Sequence, residues 1–155
     1  MSEWPDESGA WISALDAPRS ERARLLHLAA ASGHRSAMQL LVQHGVDVDI
    51  PGHQRWTPLH VAVEHHQRTS VEALLALGAD VDARSDDGTT VLQLAIDAAA
   101  AFYDQEGRLD LSIVEKLLEY GANPDSPGAG GETPRAWAAA TDIPALRRLF
   151  ELNGR

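Results

Sequence analysis

Thr57-Pro58-Leu59-His60-Val61-Ala62 decides the fold, because the chain returns to it. Thirty-three residues later stands Thr90-Val91-Leu92-Gln93-Leu94-Ala95, and the same step back from His60 lands in Leu26-His27-Leu28-Ala29. Gly45 and Gly78 keep this 33-residue step as well. A fixed period of this size marks stacked supersecondary units, none of which can bury its own apolar face alone. Such a stack presents an extended binding surface rather than a deep reaction pocket.

Within one unit the residues predict their own structure. Thr57 is an N-cap, its hydroxyl accepting from a free N–H of the first turn. Pro58 follows at the first helical position, where its fixed φ helps and its missing N–H costs nothing. Leu59, Val61 and Ala62 are expected to face inward. A second helix carries Val71, Leu74 and Leu75 on one stripe. Gly78 supplies the left-handed residue that stops it. Ala79 to Ala83 then reads as a short extended segment, and Asp87-Gly88 as a tight hairpin turn.

The composition suits that reading. Of 155 residues 44% are hydrophobic but only 5% aromatic, so the core is built from Leu, Val, Ile and Ala, as layered helices allow. The absence of cysteine excludes disulfides, zinc-thiolate sites and thiol catalysis. A net charge of −10 argues against a nucleic-acid partner and favours steering toward a basic protein surface. Met1 to Asp16 contains Glu3, Asp6 and Glu7, without a basic start or apolar stretch, so no secretory signal is expected. No segment approaches the roughly 20 apolar residues of a membrane span. A cytoplasmic, membrane-free protein is the expectation, and a monomer when free. Lys116 is the single lysine among the basic residues, a usage that suggests a GC-rich bacterial genome.

The repeat resembles the ankyrin family. Thr57 to Ala62 fits that family's Thr-Pro-Leu-His-x-Ala signature with its period of 33. Gly33-His34, Leu74 to Asp82 and Leu117 to Asp125 match its helix-ending segments, and Thr133-Pro134 restarts the pattern. The resemblance implies an all-α repeat solenoid of four stacked ankyrin repeats with short β-hairpin fingers. In register the units run 19–51, 52–84, 85–127 and 128–155, behind an N-terminal capping helix within 1–18 that carries Trp11, Ile12 and Leu15. Arg147 and Glu151 stand where Met38 and Val42 stand in the first unit, so the last unit has the polar outer face of a cap.

The departures from the pattern carry expectations of their own. Gly78 to Gly121 is 43 residues, so the third unit holds a ten-residue insertion at about 99–108. Ala98 to Ala101 are strong helix formers and predict that the first helix runs on by about two turns before Gly107, with Asp110 or Ser112 capping the next. His66-Gln67 replaces Gly-His, which puts a strained left-handed turn on a non-glycine residue. Arg55 stands where the hairpin glycine belongs, predicting a non-standard first finger. Gly128-Ala129-Gly130-Gly131 predicts a mobile last one.

Candidate chemistry is thin. His60 and Glu64, with His65 and His66 beside them, do not spell the His-Glu-x-x-His metalloprotease pattern. The resemblance implies that His60 bonds locally and ties neighbouring hairpins together, and His27 and His60 are both expected to be structural. No nucleophile elbow, phosphate loop or dinucleotide fingerprint occurs, and Asp80/Asp82 and Asp86/Asp87 lie on solvated loops. No catalytic residue, metal or cofactor is expected. Trp137 continues the column Leu28, Val61 and Leu94, a packing position, whereas Trp56 is expected in solvent as a binding hot spot.

The resemblance implies protein binding through a concave face of finger tips and first helices. Carried onto this chain, that face comprises His53, Gln54, Trp56, Glu64, His65, Arg84, Asp86, Asp87, Thr89, Asp97 and Glu132, with Phe102 and Tyr103 as further aromatic candidates. The reading is a non-enzymatic binder of a basic protein, in its sharper form an immunity protein or inhibitor of a toxin or effector. The alternatives are a self-assembling scaffold and a metalloenzyme built on His60, Glu64 and His65.

Overall fold

The computed structural model describes residues 16–103 and 109–152. Over these the chain forms eight α-helices: α1 (Arg19–Ser32), α2 (Arg35–Gln43), α3 (Pro58–Glu64), α4 (Arg68–Ala76), α5 (Val91–Ala101), α6 (Ser112–Glu119), α7 (Pro134–Ala140) and α8 (Pro144–Leu152). They pair as four antiparallel layers. The inner helices α1, α3, α5 and α7 pack in series, α2, α4 and α6 follow one another behind them, and α8 lies against α7. The architecture is an all-α repeat solenoid. Residues 1–15, which hold the expected capping helix, lie outside the described residues.

Each inner helix after the first starts the same way. The hydroxyls of Thr57, Thr90 and Thr133 accept from the N–H groups of His60 (3.4 Å), Gln93 (3.1 Å) and Ala136 (3.1 Å). Thr57 and His60 close a full capping box, the His60 ring accepting from the Thr57 N–H. Five residues after each cap sits alanine: Ala62, Ala95 and Ala138 are all buried, as is Ala29 in α1. These small side chains let inner helices of adjacent layers close on each other.

The outer helices end alike. After α4 the N–H of Ala79 bonds to the Leu74 carbonyl and that of Gly78 to Leu75, a Schellman motif that requires the left-handed φ of +93° at Gly78. The same bonds recur after α2 at Val46 and Gly45, and after α6 at Ala122 and Gly121. Beyond each turn a carboxylate catches the next layer: Asp49 accepts from the Asp80 N–H (2.9 Å) and Asp82 from the Asn123 N–H (2.8 Å). Between them, Leu26, Leu41, Leu59, Leu74, Leu92, Ile96, Leu117 and Leu146 fill one continuous core.

Three expectations about helices need correction. Val61 is only half-buried, and Val63 takes the inward position with Leu59 and Ala62. The first helix of the third layer gains one turn over α3 rather than two, because Phe102 and Tyr103 turn away after Ala101. Neither Asp110 nor Ser112 is the N-cap of α6: Leu111 holds that position, and Asp110, one residue earlier, accepts from the Ser112 N–H at 2.9 Å. Residues 104–108 of the insertion lie outside the described residues.

Candidate functional site

The loops between layers form a row of fingers along one edge. The third-layer finger is the best formed: Arg84 and Thr90 bridge in antiparallel fashion around Asp86-Asp87-Gly88, with Gly88 at φ +88°. Elsewhere among the described residues no strand pairing occurs. The Asp87 carboxylate holds this finger from within, accepting from the Ser85 hydroxyl and from the Thr89 N–H. Those bonds, Ser85 first, drag its pKa down to about 2. The first finger is built differently: His53–Arg55 is a 3-10 turn in which Gln54 (φ 54°) and Arg55 (φ 58°) are both left-handed without being glycine.

Adjacent fingers are bonded together. The Asp86 N–H donates to the Gln54 carbonyl at 2.9 Å, and the Arg84 guanidinium donates to the Pro127 carbonyl at 2.7 Å and to the Ser126 hydroxyl. From below, the His27 ring bonds to the Trp56 carbonyl at 2.9 Å and the His60 ring donates to the Thr89 carbonyl at 3.3 Å. The last finger closes on itself, Gly128 donating to the Glu132 carbonyl at 2.9 Å.

This geometry sorts the candidate residues. His53, Gln54, Asp86, Asp87 and Glu132 are exposed along the finger row, and Glu64, His65 and Asp97 are exposed on the inner helices beside it. Thr89 is half-buried, with its backbone bonded within its own finger and to His60. Arg84 is a tie between fingers. Asp97 accepts from the Gln93 amide (2.9 Å), while desolvation raises its pKa. Trp56 corrects the expectation of a solvent-facing indole: it is half-buried, its ring 5.8 Å from that of His60. It walls a cleft of about 650 Å³ with His27, Gln54 and Val61. Phe102 and Tyr103 do not join the row. They sit at the far end of α5, where Phe102 meets His66 edge-on at 4.6 Å, and His66 is left-handed at φ 53° as its sequence context implied.

The metal-enzyme alternative finds no assembled site. His60 is fully buried with both ring nitrogens engaged, whereas Glu64 and His65 point to solvent. Among the described residues no group of three His, Cys, Asp or Glu converges on a point, and no helix there is long and apolar enough to cross a membrane.

The structure adds one feature that sequence reasoning set aside. Leu28, Val61, Leu94 and Trp137 hold equivalent positions, the last three each four residues after a capping threonine. Leu28 is 42% exposed and the others are half-buried, so one apolar side chain per layer lies partly open beside the fingers. The signal was the phase itself: at about 100° per residue, Val61 lies roughly opposite the buried Leu59 and Val63 on the helix.

A family model described as ankyrin repeats (3 copies) matches residues 12–85. No curated protein matches the chain. Beyond the matched stretch, α5 and α7 repeat its threonine cap, and α6 repeats its Schellman ending.

Proposed function

With residues 12–85 belonging to the ankyrin repeats, a family of protein–protein interaction modules, we propose that this chain is a non-enzymatic binder of a protein with a basic surface. The repeats extend, in this reading, over 19–51, 52–84, 85–127 and 128–155. The contact face is the one shared by finger tips and inner helices. A sharper form of the reading is an immunity protein or inhibitor that covers a toxin or effector in the cytoplasm. The net charge of −10 supports it, since an acidic field accelerates encounter with a basic partner.

The observation that carries the reading is the bonded row of fingers. Asp86 to Gln54 and Arg84 to Pro127 hold successive tips in fixed register. Asp86, Asp87 and Glu132 therefore stand as a rigid acidic edge rather than as separate loops. Rigid presentation lowers the ordering cost of association.

The test is capture of partner proteins from the source organism by the full chain, at low and high salt. Asp86→Lys/Glu132→Lys should abolish capture while leaving Tm within a degree or two. Asp86 is a cleaner probe than Asp87, whose carboxylate holds the finger together. Trp56→Ala should weaken capture as well. Undiminished, salt-independent capture by the charge-reversed chain would refute the acidic-face assignment.

A further inference from the structure

Resting on that reading, we infer that the groove takes an α-helical segment of its partner. That segment carries an apolar residue at every seventh position, flanked by Arg or Lys, and it lies across the inner helices. Three features of the groove point to this one occupant.

The first is the apolar column. Leu28, Val61, Leu94 and Trp137 present one partly open apolar side chain per layer, and the inner helices bearing them pack directly on one another. Packed helices lie about 8–10 Å apart, so the column offers footholds at that interval. An α-helix rises about 1.5 Å per residue, which places every seventh residue on one face at about 10.5 Å. A β-strand fails this match. Its same-face residues fall at about 6.6 or 13 Å, and the residue at about 10 Å points away.

The second is backbone chemistry. A polyproline helix repeats every third residue at about 9.3 Å and would match the interval, but its backbone has no internal hydrogen bonds. The inner helices can offer it none, because their own N–H and C=O groups along the column are engaged within α1, α3, α5 and α7. An extended or polyproline segment laid on Val61 and Leu94 would leave polar backbone groups facing apolar surface. An α-helix brings its backbone already paired.

The third is charge. Glu64 and Asp97 stand one turn beyond Val61 and Leu94, and Asp86, Asp87 and Glu132 stand on the finger side. The column thus runs between two acidic rows. The finger side also carries the exposed cations Arg55 and Arg84, the latter still charged on its neutral acceptors Ser126 and Pro127, while Arg24 lies 3.5 Å from Glu21; the five carboxylates outnumber them. An apolar stripe bordered on both sides by positive charge is the complement.

The experiment uses the full chain and three labelled synthetic peptides of equal length, read by fluorescence anisotropy. One is an alanine-based helix with leucine every seventh residue and Arg or Lys beside each leucine. The second is a proline-rich peptide with leucine every third residue and the same basic residues. The third is the helix with glutamate in place of the basic residues. The basic helix should bind at least tenfold tighter than either control. Leu28→Asp, at a site 42% exposed, should weaken it at least tenfold, and Leu94→Asp, half-buried against the core, should do so independently. Gln39→Asp, exposed on α2 behind the groove, should leave it unchanged.

Equal or tighter binding of the proline-rich peptide overturns the inference, as does a basic helix that binds wild type and Leu94→Asp alike or neither. Those outcomes leave the acidic-face reading standing if native capture still fails in Asp86→Lys/Glu132→Lys. Capture indifferent to that double change, by contrast, removes the reading whatever the peptides do.

Discussion

The junction between the second and third layers and the junction between the third and fourth solve one problem with different residues. In the first, the His60 ring reaches from the core to the Thr89 carbonyl under the next finger, as His27 does one layer earlier toward Trp56. In the second, Gln93 stands in the histidine's place and turns aside to Asp97. The tie passes instead over the top, from Arg84 to Ser126 and Pro127. One junction is locked by a buried ring that reaches a half-buried carbonyl and the other by an exposed side chain on the solvent side. A hydrogen bond sheltered from water is stronger and costlier to break than one that water can replace. The comparison therefore predicts an unequal stack, firmer toward α1 than toward α8.

The largest effect should come from His60→Ala. The ring is fully buried, caps α3 with Thr57 and carries the tie to Thr89. Losing a buried ring and its bonds should cost about 3 kcal/mol, within the range of large-to-small core changes. Urea denaturation reads this directly. Arg84→Ala removes as many bonds, but from an exposed side chain, and should cost about 1 kcal/mol. Its mark should be local: faster amide exchange at Gly128 and Gly131 with little change near α1. Equal losses from the two substitutions would end the distinction between an inner and an outer lock.

Much of this was legible before any coordinates. The threonine caps and the glycines after α2, α4 and α6 follow from phase, because each depends on local chemistry repeated at a fixed step, whereas the tie made by His60 was implied by the ankyrin resemblance. The strained turn at His66 and the non-standard first finger at Arg55 were legible for the same reason. The missing glycine announces itself. What escaped depended on neighbours far along the chain. Arg84 reads as a surface cation until Pro127 and Ser126 are placed beside it. Trp56 reads as exposed until His60 is seen beneath its ring. Val61 was assigned inward because apolar residues are presumed core, whereas helix phase turns it to the groove beside the fingers.

The first finger offers the next test of the comparison. Arg55 is exposed and left-handed at φ 58°, where glycine carries no steric penalty. Arg55→Gly should stabilise the chain by about 1 kcal/mol, whereas the same change at Arg84 should not stabilise it at all. A smaller gain should follow from Gln93→His. The rings of His27 and His60 reach the carbonyl just before the next capping threonine, and for Gln93 that carbonyl belongs to Glu132. Restoring the inner lock should add about 0.5 kcal/mol and slow exchange at the last finger. If it destabilises instead, the insertion has moved that finger out of a ring's reach.

The smallest signal lies in pH, and it separates the two junctions without altering either core. The Thr57 N–H donates to Nδ1 of His60 and Nε2 donates to the Thr89 carbonyl, so the network calls for the neutral ring. Burial lowers its pKa below the ordinary 6.5, outweighing the Thr89 carbonyl and Asp87, which both pull it up. An unfolded chain then binds a proton more readily than the folded one across that interval. Stability from this group is complete above pH 6.5 and declines as pH falls below 6.5 toward the folded value. Gln93 cannot titrate, so the outer lock contributes no such slope. Denaturation midpoints at pH 7.5, 6.5 and 5.5 should fall for wild type and fall less for His60→Gln. Parallel profiles for the two proteins would mean that the inner lock holds as well with a charged ring, and that its strength does not come from dryness.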